Sequence, residues 1–287
     1  MNNYYQDVLN DAGILKFKTT DFLASKYDCP NKDQFVDFWS PLDYVIRVHS
    51  GRKTFYTSGG SYTATAGDIV YFKKGGGIIE QYLDETFCLT VLFISDNLIR
   101  SALEETLAKS SSNSKAINDG RSFFTITPTP EINQFFGVVD DVLMGLSAPP
   151  KETLSNQTQA FIQNLCQETS HSHLACHFYF TCHQNPKISH VMLENFRFNL
   201  GIVELATLCN RSLSSFKRDF KKQFNETPNR WLIRNRLEYA AGILRSTPYD
   251  ITRISFESGF NNLSHFSRIF KNKYKKSPTD FRNVKTR

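Results

Sequence analysis

At 287 residues, with 40% hydrophobic and 22% charged residues, the chain has the apolar content for more than one core, and its composition excludes a collagen-like rod or a fully disordered polymer. About two domains of roughly 100–200 residues are expected at this length. The net charge of +6 is unevenly spread: residues 186–287 hold 20 Lys+Arg against 8 Asp+Glu, leaving 14 against 20 for residues 1–185. A compact region at +12 attracts polyanions, chiefly nucleic acid or anionic membrane, so the two parts are expected to do different jobs.

The N-terminal MNNYYQDVLND is polar and acidic where a secretory signal would be basic and then apolar. No stretch reaches about 18 uninterrupted apolar residues, so no membrane span is expected and the protein is placed in the cytoplasm. Cys29, Cys88, Cys166, Cys176, Cys182 and Cys209 show no recurring spacing and read as reduced thiols.

From Asp37 to Ser95, DYVIRVHS, KTFYTS, SYTATA, DIVYFKK, GIIEQYL and FCLTVLFIS read as short strands punctuated by Gly59-Gly60, Gly67-Asp68 and Gly75-Gly76-Gly77. Such spacing favours a small β-sandwich or barrel. TAGDIVYFKKGG resembles the central hairpin of the cupin-type jelly roll that serves as a sensory domain in bacterial regulators. Catalytic cupins hold a metal through a His-x-His pair, a nearby carboxylate and a distant His, yet this segment contains only His49. Neither metal nor cofactor is therefore expected, and a sensor is preferred to an enzyme. Arg47 and His49 alternate on one side of a strand and are the candidates for meeting an acidic ligand inside the barrel. A solvated polar face is the commoner explanation of that alternation.

Between Asp96 and about Thr181 the periodicity turns helical. DNLIRSALEETLAK precedes a Ser-rich stretch, KSSSNSK, that reads as a loop. EINQFFGVVDDVLMGL and KETLSNQTQAFIQNLCQETS then form a helical hairpin over about 131–170, broken at Ala148-Pro149-Pro150. The stripe Phe135, Val138, Val139, Val142, Leu143 and Leu146 has two equal readings, a homodimer seam or packing on the domain's own sheet. Cys166, His171, His173, Cys176, His177, Cys182 and His183 crowd together, but without the paired Cys-x₂₋₄-Cys spacing of a zinc knuckle. Buried thiols and surface histidines are the preferred reading.

From Ile188 onward the sequence repeats at an offset of 50. Phe216-Lys217-Arg218-Asp219-Phe220-Lys221 returns as Phe266-Ser267-Arg268-Ile269-Phe270-Lys271, and Thr227-Pro228-x-x-Trp231 as Ser277-Pro278-x-x-Phe281. Each copy reads as a helix-turn-helix: a small residue, Ala206 or Ser255, for close helix approach, then Asn210 or Gly259 to end the first helix, then a second helix with a Phe pair four apart. Those Phe pairs bury one face and turn out Ser214, Ser215, Lys217, Arg218 and Lys221 in the first copy, and Leu263, Ser264, Ser267, Arg268 and Lys271 in the second. Arg can pair with guanine O6 and N7, Ser with several base edges and Leu with a thymine methyl, while the lysines suit phosphates. A solvated face is the plain alternative for one such helix, and the repetition argues against it. Between the copies, PNRWLIRNRLEYAAGILRST reads as a linking helix of about 228–245. It is long enough to hold two recognition helices for successive major grooves.

Residues 188–284 resemble the DNA-binding domain of the AraC/XylS family of bacterial transcription regulators. The resemblance rests on Gly259-Phe260-x-x-x-Ser264-x-Phe266-Ser267-Arg268-x-Phe270-Lys271, Ser277-Pro278-x-x-Phe281-Arg282, Leu205-Ala206, Ser212, Phe216, Arg218, Phe220, Arg236-Leu237, Ala240 and Leu244. It implies seven helices holding two helix-turn-helix units, binding to double-stranded promoter DNA at direct-repeat half-sites, and activation through RNA polymerase. The expected architecture is an N-terminal cupin-like β-barrel followed by helices (1–182), a linker (183–188) and an all-α DNA-binding domain (189–287). Its helix-turn-helix units lie at about 201–224 and 251–274. The N-terminal domain is expected to answer to a small-molecule effector or to a protein partner; a metal-dependent cupin enzyme with a DNA-binding tail is the remote alternative. Three departures from the family stand out: Asn210, Asn225 and Lys275 occupy positions where glycine is common. A left-handed Lys275 would cost about 1 kcal/mol.

Overall fold

The computed structural model describes residues 1–28, 33–109, 120–167 and 172–283; Cys29, His171 and all but the first residue of KSSSNSK lie outside the described residues. The chain folds as two units, Asn2–Asn185 and Pro186–Arg287.

The first unit opens with β1 (Asn2–Asn3), α1 (Tyr4–Asn10), β2 (Leu15–Lys18) and β3 (Phe22–Asp28). Next come β4 (Phe35–Ser40), β5 (Asp43–Ser50), β6 (Arg52–Thr57), β7 (Gly60–Thr65), β8 (Ile69–Phe72), β9 (Gly75–Gln81) and β10 (Cys88–Ile94). It ends with α2 (Asp96–Lys109), β11 (Phe123–Ile126), α3 (Pro130–Leu143), α4 (Lys151–Gln167) and α5 (Ser172–His183). The strands form two sheets, β1-β4-β9-β6-β7 and β11-β8-β5-β10-β3-β2. The expected cupin-like sandwich or barrel takes the form of two facing sheets: among the described residues every ladder joins strands of one sheet, and none closes one sheet onto the other. Strands β1, β2, β3, β4 and β11 are not among the segments expected from the sequence. Leu15–Lys18 and Phe123–Ile126 are four-residue sheet edges, too short to announce a period of two.

Two cores flank the six-stranded sheet. Tyr44, Ile46 and Val48 of β5, Val70 and Phe72 of β8, and Leu89, Val91 and Phe93 of β10 meet Phe38, Phe55 and Ala64 of the other sheet. Val45, Ile69, Tyr71, Leu92 and Ile94 face the opposite way, into a layer of Phe135, Phe136, Val139, Leu143, Phe161, Ile162 and Phe178 from α3, α4 and α5. A sheet covered on both faces reads as continuous apolar runs, as CLTVLFI and IVYF do. The helical stripe is thus committed to the domain's own sheet: Phe135, Val139 and Leu143 are buried, Val138 and Val142 pack against the same core, and only Leu146 stays exposed. That removes the sequence argument for a dimer seam there.

The second unit contains α6 (Ile188–Asn195), α7 (Ile202–Leu208), α8 (Leu213–Phe224), α9 (Pro228–Ser246), α10 (Ile251–Glu257), α11 (Leu263–Tyr274) and α12 (Pro278–Asn283). The helix starts are specified locally. Ser212, Thr227, Asp250 and Asn262 each accept a backbone N–H three residues on, and Pro228 opens α9. Asn225 and Lys275 end α8 and α11 in the left-handed conformation at φ 55° and 59°, and Asn210 matches them at 52°, so the glycine-like geometry is kept without glycine. Gly259 is a different case: at φ 83° a Cβ there would lie 2.7 Å from the Arg197 carbonyl oxygen and 2.9 Å from Arg236 Nε, so a side chain is excluded. Arg236 itself donates from Nε to the Phe196 carbonyl (2.6 Å) and from Nη2 to that of Phe198 (2.8 Å), clamping the α6–α7 connection onto α9. Burial lowers its pKa to about 10, which leaves it charged at neutral pH.

Helix α9 is shared. Its first half seats Trp231 against Phe220 and Phe224, with ring centroids 6.2 and 6.0 Å apart. Its second half packs Leu237, Ala240, Ala241 and Leu244 on Ile254, Phe260, Phe266 and Phe270. The repeat exposes one mismatch. Ser255, equivalent to Ala206, is fully buried and its Oγ has no hydrogen-bond partner among the described residues. Ser255→Ala is expected to raise stability by about 1 kcal/mol, since a buried unsatisfied hydroxyl is removed at a position where the first copy already accepts alanine. An unchanged or lowered unfolding midpoint in urea would refute this.

Candidate nucleic-acid interface

With Phe216 and Phe220 buried on α8, and Phe266 and Phe270 on α11, the opposite faces of both helices are turned to solvent. On α8, Ser214, Lys217, Arg218 and Lys221 are exposed and Ser215 is half-buried. On α11, Leu263, Ser264, Arg268 and Lys271 are exposed and Ser267 is half-buried at the flank of the helix. All ten candidate contacts lie on the two second helices, five on each. Among the described residues, Lys221 and Lys271 have no ion-pair or hydrogen-bond partner, so their ammonium groups are available to phosphate.

The arginines are not free rods. Arg218 Nε donates to Asp219 Oδ1 (3.2 Å) and Nη2 to Ser215 Oγ (3.3 Å), while Asp219 Oδ2 receives Ser215 Oγ (3.3 Å) and lies 3.5 Å from Arg211 Nε. Among the described residues, Arg268 Nη2 meets only His265 Nδ1, at 3.3 Å. Asp219, Arg211 and His265 were missed by sequence reasoning. His265 was within reach of it, because it occupies the place of Ser215 in the 50-residue repeat. Lys273, by contrast, is engaged by Glu238 (3.0 Å) and the Arg234 carbonyl (3.2 Å), and Arg234 pairs with Glu226 (2.7 Å). These contacts tie α11, and the turn that follows α8, to α9.

In the N-terminal unit Arg47 and His49 do not point between the sheets. The pleat puts them on the side of Val45, facing the helices, because Tyr44, Ile46 and Val48 take the inter-sheet side. The Arg47 guanidinium sits over the Phe136 ring at 5.7 Å; His49 Nε2 meets Thr90 Oγ1 at 2.8 Å, and Thr90 donates to Asp140 of α3 at 2.6 Å. Burial, ahead of the opposing pull of Asp140, lowers the His49 pKa. A cavity of about 250 Å³ does open between α1 and the sheets, lined among others by Tyr4, Val8, Phe38, Lys53, Phe55 and Leu89.

The Cys/His-rich stretch resolves into packing. His177 bonds Asp43, His183 stacks on Tyr179 with centroids 4.3 Å apart, and burial pushes the Cys166 thiol up to about 12. Among the described residues no three His, Cys, Asp or Glu side chains are grouped to hold a metal, and no helix is long and apolar enough to cross a membrane.

Residues 205–283 match the family model described as a helix-turn-helix domain, and residues 43–177 match the ExsA N-terminal regulatory domain. An HTH-type transcriptional regulator of Haemophilus influenzae is 35% identical over 81 residues, which cover 28% of this chain and 27% of that one. The HTH-type transcriptional activator RhaS of Salmonella paratyphi A is 22% identical over 83% of this chain and 84% of its own. A structure of ToxT from Vibrio cholerae aligns at 15% identity with a TM-score of 0.46, covering 93% of this chain and 99% of that one. The fold and site define a DNA-binding transcription regulator with a sheet-rich N-terminal domain and a double helix-turn-helix domain. Together these matches support an AraC/XylS family regulator.

Proposed function

We propose that this regulator is a cytoplasmic promoter-binding activator. It inserts α8 and α11 into successive major grooves under the control of its N-terminal domain, and contacts RNA polymerase. The observation that carries the reading is the repeated phase. On both helices an exposed Arg with neighbouring Ser lies opposite a buried Phe pair, and an unpartnered Lys follows one turn on. Within the second unit one helix of 19 residues, about 28 Å long, joins the two helix-turn-helix motifs, on the scale of a B-DNA turn. Direct-repeat half-sites follow from two units in one chain.

Gel-shift titrations at several salt concentrations test this, using a duplex selected by the full chain from a randomised pool and a random duplex. Lys221→Ala with Lys271→Ala is expected to weaken binding to both duplexes and to lower the salt slope by about 2. Selection of no sequence, or an unchanged slope, would sink the proposal. The signal itself enters through the first unit, and the cavity beside α1 supports a small molecule over a docking protein as its source. A thermal-shift screen of metabolites against the full chain, beside a pull-down, separates the two. Since the α3 stripe is buried, the mass of the full chain in solution is the direct measure of pairing with a second copy.

A further inference from the structure

Asp219 is out of place on a surface meant for DNA. It lies on α8 among the residues proposed to face the groove, in the most basic part of the chain, where a carboxylate repels phosphate. The fold does not demand it. The equivalent residue of the second copy is Ile269, which packs partly buried against the core of its unit. An acid has therefore been placed in the first copy where a hydrophobic side chain serves the second.

What Asp219 does there is visible in its contacts. One carboxylate oxygen takes the Nε hydrogen of Arg218 at 3.2 Å, and the other is held by Ser215 Oγ at 3.3 Å and lies 3.5 Å from Arg211 Nε. Ser215 Oγ in turn receives Arg218 Nη2 at 3.3 Å. Two of the three nitrogens of an otherwise exposed arginine are thus tethered to its own helix; its side chain is 76% exposed, against 35% for Asp219. A guanidinium pairs with guanine O6 and N7 either end-on, through Nη1 and Nη2, or side-on, through Nε and Nη2. With Nε committed to Asp219, only the end-on fork is left, because Nη1 and the second hydrogen of Nη2 still point outward. Arg268 lacks this restraint: its one contact is Nη2 to His265, and its Nε has no partner among the described residues.

We propose that Asp219 is a positioning residue that presets Arg218 for end-on pairing with a guanine, so that the first helix-turn-helix reads its half-site more selectively than the second. Ordering the side chain before binding lowers the entropy lost on contact, and blocking the side-on mode removes competing registers. The inference rests on the function proposed above.

The test uses the full chain and a randomised duplex pool, with wild type, Asp219→Ile, Asp219→Asn, Arg218→Ala and the double variant Arg218→Ala/Asp219→Ile. Asp219→Ile imports the residue of the second copy and is expected to fold. Wild type should enrich a motif with one guanine that Arg218→Ala loses. Asp219→Ile should cut the preference for that guanine about tenfold while tightening binding to random duplex, since a negative charge is gone. Asp219→Asn, which keeps an acceptor for Nε, should fall between. In the Arg218→Ala background the Ile substitution should leave base preferences unchanged. The proposal is overturned if the guanine preference survives Asp219→Ile, or if Arg218→Ala does not abolish it. It is equally overturned if Asp219→Ile alters preferences without Arg218, which would mean that the carboxylate reads a cytosine amino group itself. If wild type enriches no motif, the function reading has failed first.

Discussion

His177→Ala is expected to cost the N-terminal unit about 3–5 kcal/mol, because it strands a buried charge. Asp43 is fully buried at the start of β5, and its carboxylate is met by His177 Nε2 from α5 and the Tyr71 hydroxyl, each at 2.6 Å, and by the Lys74 backbone N–H at 2.7 Å. Burial alone would raise the Asp43 pKa. The charge and hydrogen bond of His177 outweigh it, with Lys74 and Tyr71 in support, and hold the carboxyl well below the usual range. A depressed carboxyl stabilises the fold above its unfolded pKa of about 3.9, and that contribution is lost as pH falls from there toward the folded value. The penalty of His177→Ala should therefore be full at pH 7 and shrink as the solution is acidified through the carboxylate range. The two tryptophans make the measurement separable, since Trp39 lies buried in the first unit and Trp231 in the second. In a Trp231→Phe background, fluorescence-detected urea unfolding reports on the first unit. A midpoint unmoved by His177→Ala would show that the pair holds nothing.

Arg218→Ala and Arg268→Ala are each expected to cost about 1–3 kcal/mol of binding to the selected duplex, and together about 2–6 kcal/mol, since they sit on separate helices and share no partner. Binding to random duplex should fall far less, because a lost base contact is invisible there. Each variant should relax one half-site and leave the other unchanged. Competition titrations with duplexes mutated in one half-site measure this directly. Equal losses on selected and random DNA would show that these arginines act as phosphate anchors and that base readout lies elsewhere, with Ser214 and Ser264 the next residues to examine.

The exposed face of α8 and of α11 was largely legible beforehand for a physical reason. A Phe pair four apart on an amphipathic helix determines by itself which side chains are turned out. What could not be read was how those side chains engage one another. Asp219 looked like one more charge in a mixed run, and its role depends on which rotamer of Arg218 lies beside it. The N-terminal unit was harder. The strands of its central sheet are apolar on both faces, so periodicity does not say which face carries the second sheet and which the helices. Arg47 and His49 were misplaced for that reason, and the Asp43–His177 pair, 134 residues apart, left no local trace.

The sequence by itself determined that this protein has a basic, duplicated helix-turn-helix domain, where each unit ends and which residues face outward. Caps, breakers and a 3.6-residue period are local signals that each copy states independently. The tertiary structure alone decided that the sheets face one another without closing, that the α3 stripe is buried on its own domain, and that a carboxylate restrains one of two equivalent arginines. Those outcomes depend on which of several compatible surfaces meet, and contacts between distant residues settle that after the local pattern has been satisfied.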